Sequence, residues 1–189
     1  MKPLLLCLLL FSSTSFAFAA DLPVVDQVDI PRYMGKWHEI ASIPQSFQKQ
    51  CVSNTTAEYE LLTDTNEVKV LNSCQTASGD RSQSEGRGKV VDPTTNAKLK
   101  VTFVKIGDRW IYIFGGKYWI IRLDENYQFA VVGHPSRDYG WILSRTPDLP
   151  AATLKDLTIF LQDKGYDPCK FLTTPQDGGL TEQKPLCQL

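Results

Sequence analysis

Short segments in which apolar and polar residues alternate recur along the chain, and they limit its possible folds more than any other feature. In residues 55–61 the apolar Ala57, Tyr59 and Leu61 alternate with polar neighbours, and residues 68–71 resume the pattern after a turn. A period of two is typical of a strand with one buried face. Further strands are predicted at 36–43, 85–91, 99–103, 117–123, 127–132 and 139–145. Strands spaced roughly ten residues apart and joined by short turns predict an all-β antiparallel meander.

Two distant segments suggest that this meander closes on itself. Gly35 lies two residues before Trp37 in the first predicted strand, and Arg145 ends the last one. If the last strand returns beside the first, the guanidinium of Arg145 can stack on the indole of Trp37. We therefore expect a closed barrel with Gly35, Trp37 and Arg145 at one end.

Only one helix is predicted with a clear apolar face, at residues 148–161. Leu154, Leu157 and Leu161 fall largely on one side of it, and Gly165 follows as a stop signal. A single amphipathic helix cannot form a core alone, so we expect this helix to pack against the outside of the barrel.

The N-terminus has the composition of an export signal. A lysine, an apolar run at 4–11 and the Ala-Phe-Ala of residues 17–19 predict a signal peptide at 1–19 and a mature domain at 20–189, with an irregular tail at 175–189. The apolar run is too short to span a bilayer, so a soluble exported protein is expected. The 20 basic and 21 acidic residues nearly balance, which argues against a nucleic-acid partner. The four cysteines of the mature chain (Cys51, Cys74, Cys169 and Cys187) predict two disulfides.

The sequence offers no catalytic or metal-binding constellation. The two histidines, His38 and His134, lie far apart, and no metal-ligand spacing is present. Glu58 and Glu60 alternate with Tyr59 and are expected to point outward, and alternation places no obvious acid or cysteine inside the barrel. These observations favour a binding protein without a cofactor over an enzyme.

Aromatic residues on separate strands are the candidate ligand contacts. Barrels of about eight strands often hold a small ligand, and an uncharged aromatic wall suits an apolar one. The alternative is that these side chains simply fill a core. The predicted ligand-binding residues are Tyr59, Phe103, Trp119, Phe129 and Trp141.

The apolar run Trp110 to Phe114 has two interpretations. It either continues a strand, or it forms an exposed lip that contacts a membrane surface or a second copy of the chain.

Three segments of the sequence resemble the signature regions of the lipocalins. They are Gly35-Lys36-Trp37, the turn at 123–127, and the segment 141–147 that contains Arg145. Residues 137–147 are most similar to the branch of bacterial outer-membrane lipocalins and apolipoprotein D. The resemblance covers residues 27–175.

This resemblance implies an eight-stranded up-and-down barrel with a flanking helix, closed at the Trp37 and Arg145 end. It also implies binding of fatty acids, lysophospholipids or similar molecules, for lipid transport and for membrane maintenance under stress. Tyr59 and Trp141 match pocket positions of the family. The loops that hold Phe47, Gly79, residues 110–114 and His134 are expected to ring the mouth. A lipocalin-fold isomerase or synthase, and a binder of tetrapyrrole or retinoid pigments, are the alternatives.

The sequence departs from the family pattern in three places. His38 replaces the aromatic residue that usually follows the signature tryptophan. Ala20 stands where bacterial relatives often carry a lipid-anchored cysteine, so a periplasmic or secreted protein is expected, associated with the outer membrane, if at all, without an anchor. The tail reaching Cys187 is longer than in apolipoprotein D. Two pairings of the cysteines are therefore possible. Cys51 could bridge to Cys187, with Cys74 paired to Cys169, or Cys51 could bridge to Cys74 across its hairpin, with Cys169 paired to Cys187. The hairpin pairing is preferred because both of its members end strands.

Overall fold

The protein is described by a computed structural model that covers residues 22–189, and the predicted signal peptide lies outside the described residues. The strands are β1 Gly35–Ser42, β2 Cys51–Leu62, β3 Glu67–Thr76, β4 Arg81–Val90, β5 Lys98–Thr102, β6 Lys105–Ile106, β7 Arg109–Trp110, β8 Gly116–Leu123, β9 Phe129–Gly133, β10 Gly140–Ser144 and β11 Leu172–Thr173. The α-helices are α1 Ile30–Tyr33 and α2 Ala151–Asp163, and four single-turn 3-10 helices lie at Ser46–Gln48, Tyr112–Phe114, Pro168–Lys170 and Leu186–Gln188.

The antiparallel strands form a closed barrel. Their order is β1, β2, β3, β4, β5, β8, β9 and β10, and β10 pairs back onto β1 from His38 opposite Ser144 to Ser42 opposite Trp141. β6 and β7 form a separate small hairpin, and β11 lies outside the barrel beside β1. The predicted eight-stranded up-and-down barrel is confirmed.

Apolar side chains pack in two layers, one on each side of the barrel wall. The inner layer fills the barrel and includes Val28, Tyr33, Trp37, Val68, Val70, Ala97, Leu99, Ile120, Ala130, Val132 and Leu143. The outer layer lies between the wall, α2 and the C-terminal segment, and includes Ile40, Trp119, Ile121, Val131, Ile142, Leu154, Leu157, Leu161, Tyr166 and Phe171. The helix predicted at 148–161 therefore packs outside the barrel, as expected, with its ends moved by two or three residues.

Arg145 ties one end of the barrel together, and we call this the closed end. Its guanidinium carbon lies 3.7 Å from the ring centroid of Trp37. Its terminal nitrogens donate to the carbonyls of Lys36 at 2.8 Å and Met34 at 2.9 Å. Gly35 has a φ of +92°, a conformation that favours glycine, and a Cβ there would meet the guanidinium at 3.4 Å. The predicted stacking of the two chain segments is confirmed.

The C-terminal segment fills a gap between β1 and β2. The ladder between these strands ends at His38 opposite Thr56. Beyond that point the amide of Thr174 donates to the carbonyl of Ile40. The side chain of Gln176 then bridges the strands, because its Nε2 donates to the carbonyls of Glu39 at 2.9 Å and Thr55 at 2.8 Å. Backbone groups that the open ladder leaves unpaired thus gain partners from the tail.

Both disulfides are local. Cys51 is bonded to Cys74 across the β2–β3 hairpin, with Cα atoms 5.5 Å apart. Cys169 is bonded to Cys187 with Cα atoms 5.0 Å apart, which fastens the tail to the segment after α2. Of the two pairings left open by the sequence, the structure shows the hairpin one.

Candidate functional site

Three of the five predicted ligand residues lie where the alternation pattern placed them. Tyr59 and Trp141 pack against the inner layer of the barrel. Phe103 follows β5 at the rim, is 43% exposed, and covers Gly86 so closely that a Cβ there would lie 2.8 Å from its ring. Contact of these three side chains with a ligand stays a prediction.

The other two predicted residues, Trp119 and Phe129, face the opposite way, so their expected inward orientation is wrong. Both belong to the outer layer, and the inward positions of β8 are Tyr118 and Ile120. Both faces of β8 are buried here, one by the barrel interior and one by the outer layer. A strand of this kind has apolar residues on both faces, so its sequence does not show which face is inside.

Three tyrosines fill the interior next to the closed end. The hydroxyl of Tyr118 hydrogen-bonds to those of Tyr33 at 2.8 Å and Tyr59 at 3.1 Å. Burial raises the pKa of Tyr59 to about 12 and raises the pKa of Tyr33 and Tyr118 well above the usual value, so all three are uncharged at neutral pH. The cavity they line together with neighbouring apolar residues is about 20 Å³. That volume holds about one water molecule.

The interior opens toward the other end, which we call the open end. Asn72 lies opposite Ser84, two residues beyond the inner pair of Val70 and Gly86, so both polar residues are on the inner face. Ser84 is nevertheless exposed. The inner wall near the mouth is therefore accessible to solvent, and a ligand can enter there.

Sequence reasoning missed one charged residue inside the barrel, Glu39. It is 6% exposed and pairs with Leu143 of the inner layer. A β-bulge between Glu39 and Ala41 then shifts the phase of β1, so that Ser42 also faces inward, opposite Trp141. Counting by twos from the inward Trp37 would have placed Glu39 inside.

Three neutral side chains hydrogen-bond to the Glu39 carboxylate. Its Oε1 accepts hydrogen bonds from the hydroxyls of Ser42 at 3.0 Å and Thr174 at 2.7 Å. Its Oε2 accepts from Nε2 of Gln48 at 3.1 Å, a residue of the β1–β2 loop at the open end. Burial raises the pKa of Glu39 above its usual value, and these three hydrogen bonds offset part of that increase.

The apolar run at 110–114 lies on the outer face of the barrel rather than around the mouth. Trp110 lies under the guanidinium of Arg87, and Tyr112 lies under the ammonium of Lys89, both from β4. The hydroxyl of Tyr112 donates to Glu67 at 2.8 Å. The expectation that this run rings the mouth is therefore wrong, because these contacts fold the β5–β8 connection back along the wall. Its last two apolar residues, Ile113 and Phe114, remain 78% and 70% exposed.

Both histidines have local structural partners. His38 faces outward and its Nδ1 hydrogen-bonds to Gln176 at 3.3 Å, and His134 hydrogen-bonds to Ser136 at 2.8 Å. Burial lowers the pKa of each imidazole.

Residues 22–189 contain no group of three or more His, Cys, Asp or Glu side chains placed to hold a metal ion. No helix in the same part of the chain is long and apolar enough to cross a bilayer.

A second depression, of about 820 Å³, lies at the closed end, and Val28 and Val68 of the inner layer contribute to its lining. It is bordered by the strap at residues 27–31 and by turn residues, including Asn66, Pro93, Asn96 and Tyr127. None of the aromatic residues predicted to bind a ligand lines it. We therefore take the barrel interior above the tyrosines as the candidate ligand site.

A closed antiparallel barrel, sealed at one end by a tryptophan and an arginine and open at the other, defines the class of barrel proteins that enclose small ligands. The model of the lipocalin-like domain matches residues 28–176. The chain belongs to the lipocalin family, whose members bind small hydrophobic ligands and are generally binding proteins rather than enzymes.

Relatives from distant organisms share most of the chain. Temperature-induced lipocalin-1 of Arabidopsis thaliana is 40% identical over 82% of this chain and 83% of its own length. Outer membrane lipoprotein Blc of Escherichia coli K12 is 35% identical over 82% and 83%. Apolipoprotein D of Macaca fascicularis is 33% identical over 82% and 80%. The structure of insecticyanin from the tobacco hornworm Manduca sexta has the same fold, with a TM-score of 0.66 at 23% identity over 89% and 95%.

Proposed function

We propose that this lipocalin is exported, with residues 1–19 as its signal peptide and 20–189 as the mature domain, and that it carries amphipathic lipids such as fatty acids or lysophospholipids. Its role would be lipid transport and membrane maintenance under stress, and it would bind the ligand without changing it chemically. The names of a temperature-induced relative and of an outer membrane relative support this proposal. So does the pairing of all four cysteines of residues 22–189 in disulfides, which leaves no thiol there for catalysis.

The accessible inner wall near the mouth is the observation that carries the proposal. The cavity lined by Tyr33, Tyr59 and Tyr118 has room for about one water molecule. A lipid chain would therefore lie nearer the open end, between Trp141 on one side and Phe103 at the rim. Trp141 is only partly buried, so a bound chain would remove its remaining surface from water.

Fluorescence titration with dodecanoic acid and a lysophospholipid tests this proposal. We expect saturable quenching in the wild type, and a loss of most of it in Trp141→Phe. Trp119→Phe is the matched control, because Trp119 lies on the outer layer and its replacement should preserve the quenching. Mass spectrometry of organic extracts from the undenatured protein would identify a retained lipid. No quenching by either lipid and no extracted ligand would contradict the proposal.

We also propose that the outer face beside residues 113–114 contacts an anionic membrane surface. Lys89 of β4, Lys100 of β5 and Lys117 of β8 are direct neighbours across the strands on this face. None of the three forms an ion pair within residues 22–189. Like charges opposite each other are unfavourable in a sheet, and an anionic lipid surface would relieve the repulsion while the exposed Ile113 and Phe114 enter the interface.

Vesicle sedimentation tests this surface. We expect the wild type to bind phosphatidylcholine vesicles that contain phosphatidylglycerol more tightly than vesicles of phosphatidylcholine alone. Lys100→Ser with Lys117→Ser should weaken binding by about tenfold or more, since each lysine near the surface contributes about 1 kcal/mol. Ile159→Ser on α2 is the control for loss of an exposed apolar residue. Absence of vesicle binding, with dimerisation that Phe114→Ser abolishes, would contradict membrane contact and indicate a homodimer.

A further inference from the structure

Glu39 and Gln48 place two hydrogen-bond acceptors side by side at the inner end of the mouth. Oε1 of Glu39 accepts two hydrogen bonds, whereas Oε2 accepts one, from Gln48. A carboxylate oxygen can accept two, so Oε2 keeps one open position. The amide oxygen of Gln48 is also buried and has no hydrogen-bond partner. Because it belongs to the same amide group that donates to Oε2, the unpaired amide oxygen and the open position on Oε2 are neighbours.

The charge around this pair is unbalanced. The three donors to Glu39 are neutral groups, and none of the ion pairs in residues 22–189 includes it. Arg145 lies on Trp37 at the closed end. Lys89, Lys100 and Lys117 lie on the outer face of the wall. A buried carboxylate without a cation is costly, and buried acceptors without donors are rare in folded proteins. This arrangement suits a ligand whose head group donates hydrogen bonds.

We propose that Glu39 and Gln48 form a polar subsite for the head group of an amphiphile that donates hydrogen bonds, namely an ammonium or a hydroxyl group. The head group takes the open position on Oε2 and the amide oxygen of Gln48, and the chain lies along the inner wall beside Leu143 and Trp141. The inference rests on the proposed lipid-carrier function and adds selectivity to it. A fatty acid would place a second carboxylate against Glu39, so among the lipids proposed above the subsite ranks fatty acids below lipids whose head groups donate hydrogen bonds.

The subsite lies where a head group can reach it. Gln48 comes from the β1–β2 loop, which is attached to the interior at this point by its hydrogen bond to Glu39. Phe47, the preceding residue, is 59% exposed, so the loop does not depend on that side chain for packing. A head group that enters here bonds to the open acceptor positions, and the hydrogen bond from Gln48 to Glu39 is kept.

Three ligands with the same twelve-carbon chain test the proposal: dodecylamine, 1-dodecanol and dodecanoic acid. Their affinities are measured below their critical micelle concentrations by displacement of the neutral probe N-phenyl-1-naphthylamine at pH 7.5. We expect the wild type to bind the amine about tenfold more tightly than the acid, with the alcohol between them. Glu39→Gln should reduce the ratio of amine to acid affinity to within about threefold. Glu60→Gln is the matched control, because it removes an exposed carboxylate from the outer face of β2 and should leave the ratio unchanged.

A second variant tests the subsite without altering the buried strand. Gln48→Lys places a cation beside Glu39 and should reverse the order, so that the acid binds more tightly than the amine. Equal affinities for amine and acid in the wild type, or ratios that neither variant changes, would overturn the subsite while leaving the lipid-carrier function intact. Failure of all three ligands to bind would overturn both.

Discussion

At the scale of single residues, Arg145 shows how one side chain can close a barrel. It stacks on Trp37 and donates to the carbonyls of Lys36 and Met34, which follow α1 and begin β1. The planar guanidinium supplies several donors in fixed directions as well as a stacking surface, and a lysine ammonium supplies neither geometry. The positions of Gly35, Trp37 and Arg145 in the sequence were enough to predict this contact, because each residue type has few other uses at such a site.

Arg145→Ala should lower the free energy of unfolding by about 3 kcal/mol, since it removes charge-assisted hydrogen bonds and a stacking contact. Arg145→Lys should recover little of this loss. Urea denaturation followed by circular dichroism measures both variants. Lys69→Ala provides the comparison, because its ion pair with the exposed Glu60 lies on the surface and should contribute less than about 1 kcal/mol. A loss for Arg145→Ala no larger than that for Lys69→Ala would contradict the closing role.

Glu39 should make stability depend on pH. Burial raises the pKa of Glu39 in the folded state, so the folded protein binds a proton more tightly than the unfolded chain does. This contribution to stability is fully present below the unfolded pKa of about 4.3 and is lost as the pH rises through the folded pKa. Tyr59, with a pKa of about 12, does not titrate in this range.

The measurement compares the free energies of unfolding of the wild type and Glu39→Gln at pH 4.5 and pH 7.5. We expect the wild type to lose stability relative to the variant as the pH rises. His38 also titrates below pH 7 but is present in both proteins, so its contribution cancels in the difference. A difference that is the same at both pH values would show that Glu39 keeps an ordinary pKa.

At the scale of secondary structure elements, the sequence predicted the order of the barrel strands but not always which side of a strand faces inward. Strands with one solvent-exposed face, such as β2, reveal their inner side, and Glu58 and Glu60 are indeed exposed. In β8 and β9 the outer face is covered by α2 and the tail, so Trp119 and Phe129 could not be assigned from alternation. The short hairpin of β6 and β7 was also missed, because two-residue strands leave no periodic signal.

The helix α2 should contribute to stability through the outer layer. Leu157 is fully buried there, so Leu157→Ala should cost about 2 to 5 kcal/mol from lost burial and the cavity that remains. Ile159→Ala, on the exposed side of the same helix, should cost less than about 1 kcal/mol. Thermal unfolding of both variants gives the comparison. Equal losses would mean that α2 is not anchored through its buried side.

At the scale of the whole molecule, the C-terminal segment supplies hydrogen-bond partners to the barrel strands rather than being an appendage. The sequence predicted an irregular tail at 175–189, and nothing in its composition shows that Thr174 and Gln176 reach the gap between β1 and β2. Such contacts join residues more than 120 positions apart. Only the three-dimensional closure of the barrel brings them together, so periodicity within a segment cannot reveal them.

Replacing Cys169 and Cys187 by serine should lower the free energy of unfolding by about 3 kcal/mol, the value expected for a loop of this length. The loss of protection from hydrogen exchange should appear first in the C-terminal segment. We expect faster hydrogen exchange at the Thr174 amide, which is bonded to Ile40, and unchanged exchange in the β2–β3 hairpin. Uniformly faster exchange across the barrel would show that the tail is not a separate stabilising unit.

β1 pairs with strands from both ends of the chain, and this has a consequence for the order of folding. Residues 35–38 of β1 pair with β2 nearby, but the other edge of β1 waits for β10, roughly a hundred residues later, and the β2-side edge at Ala41 and Ser42 waits for β11. During synthesis from the N-terminus, these edges stay open until nearly the whole chain has emerged. Because contacts so distant in sequence slow folding and open edges promote aggregation, the nascent chain should depend on a holding chaperone until its last residues arrive.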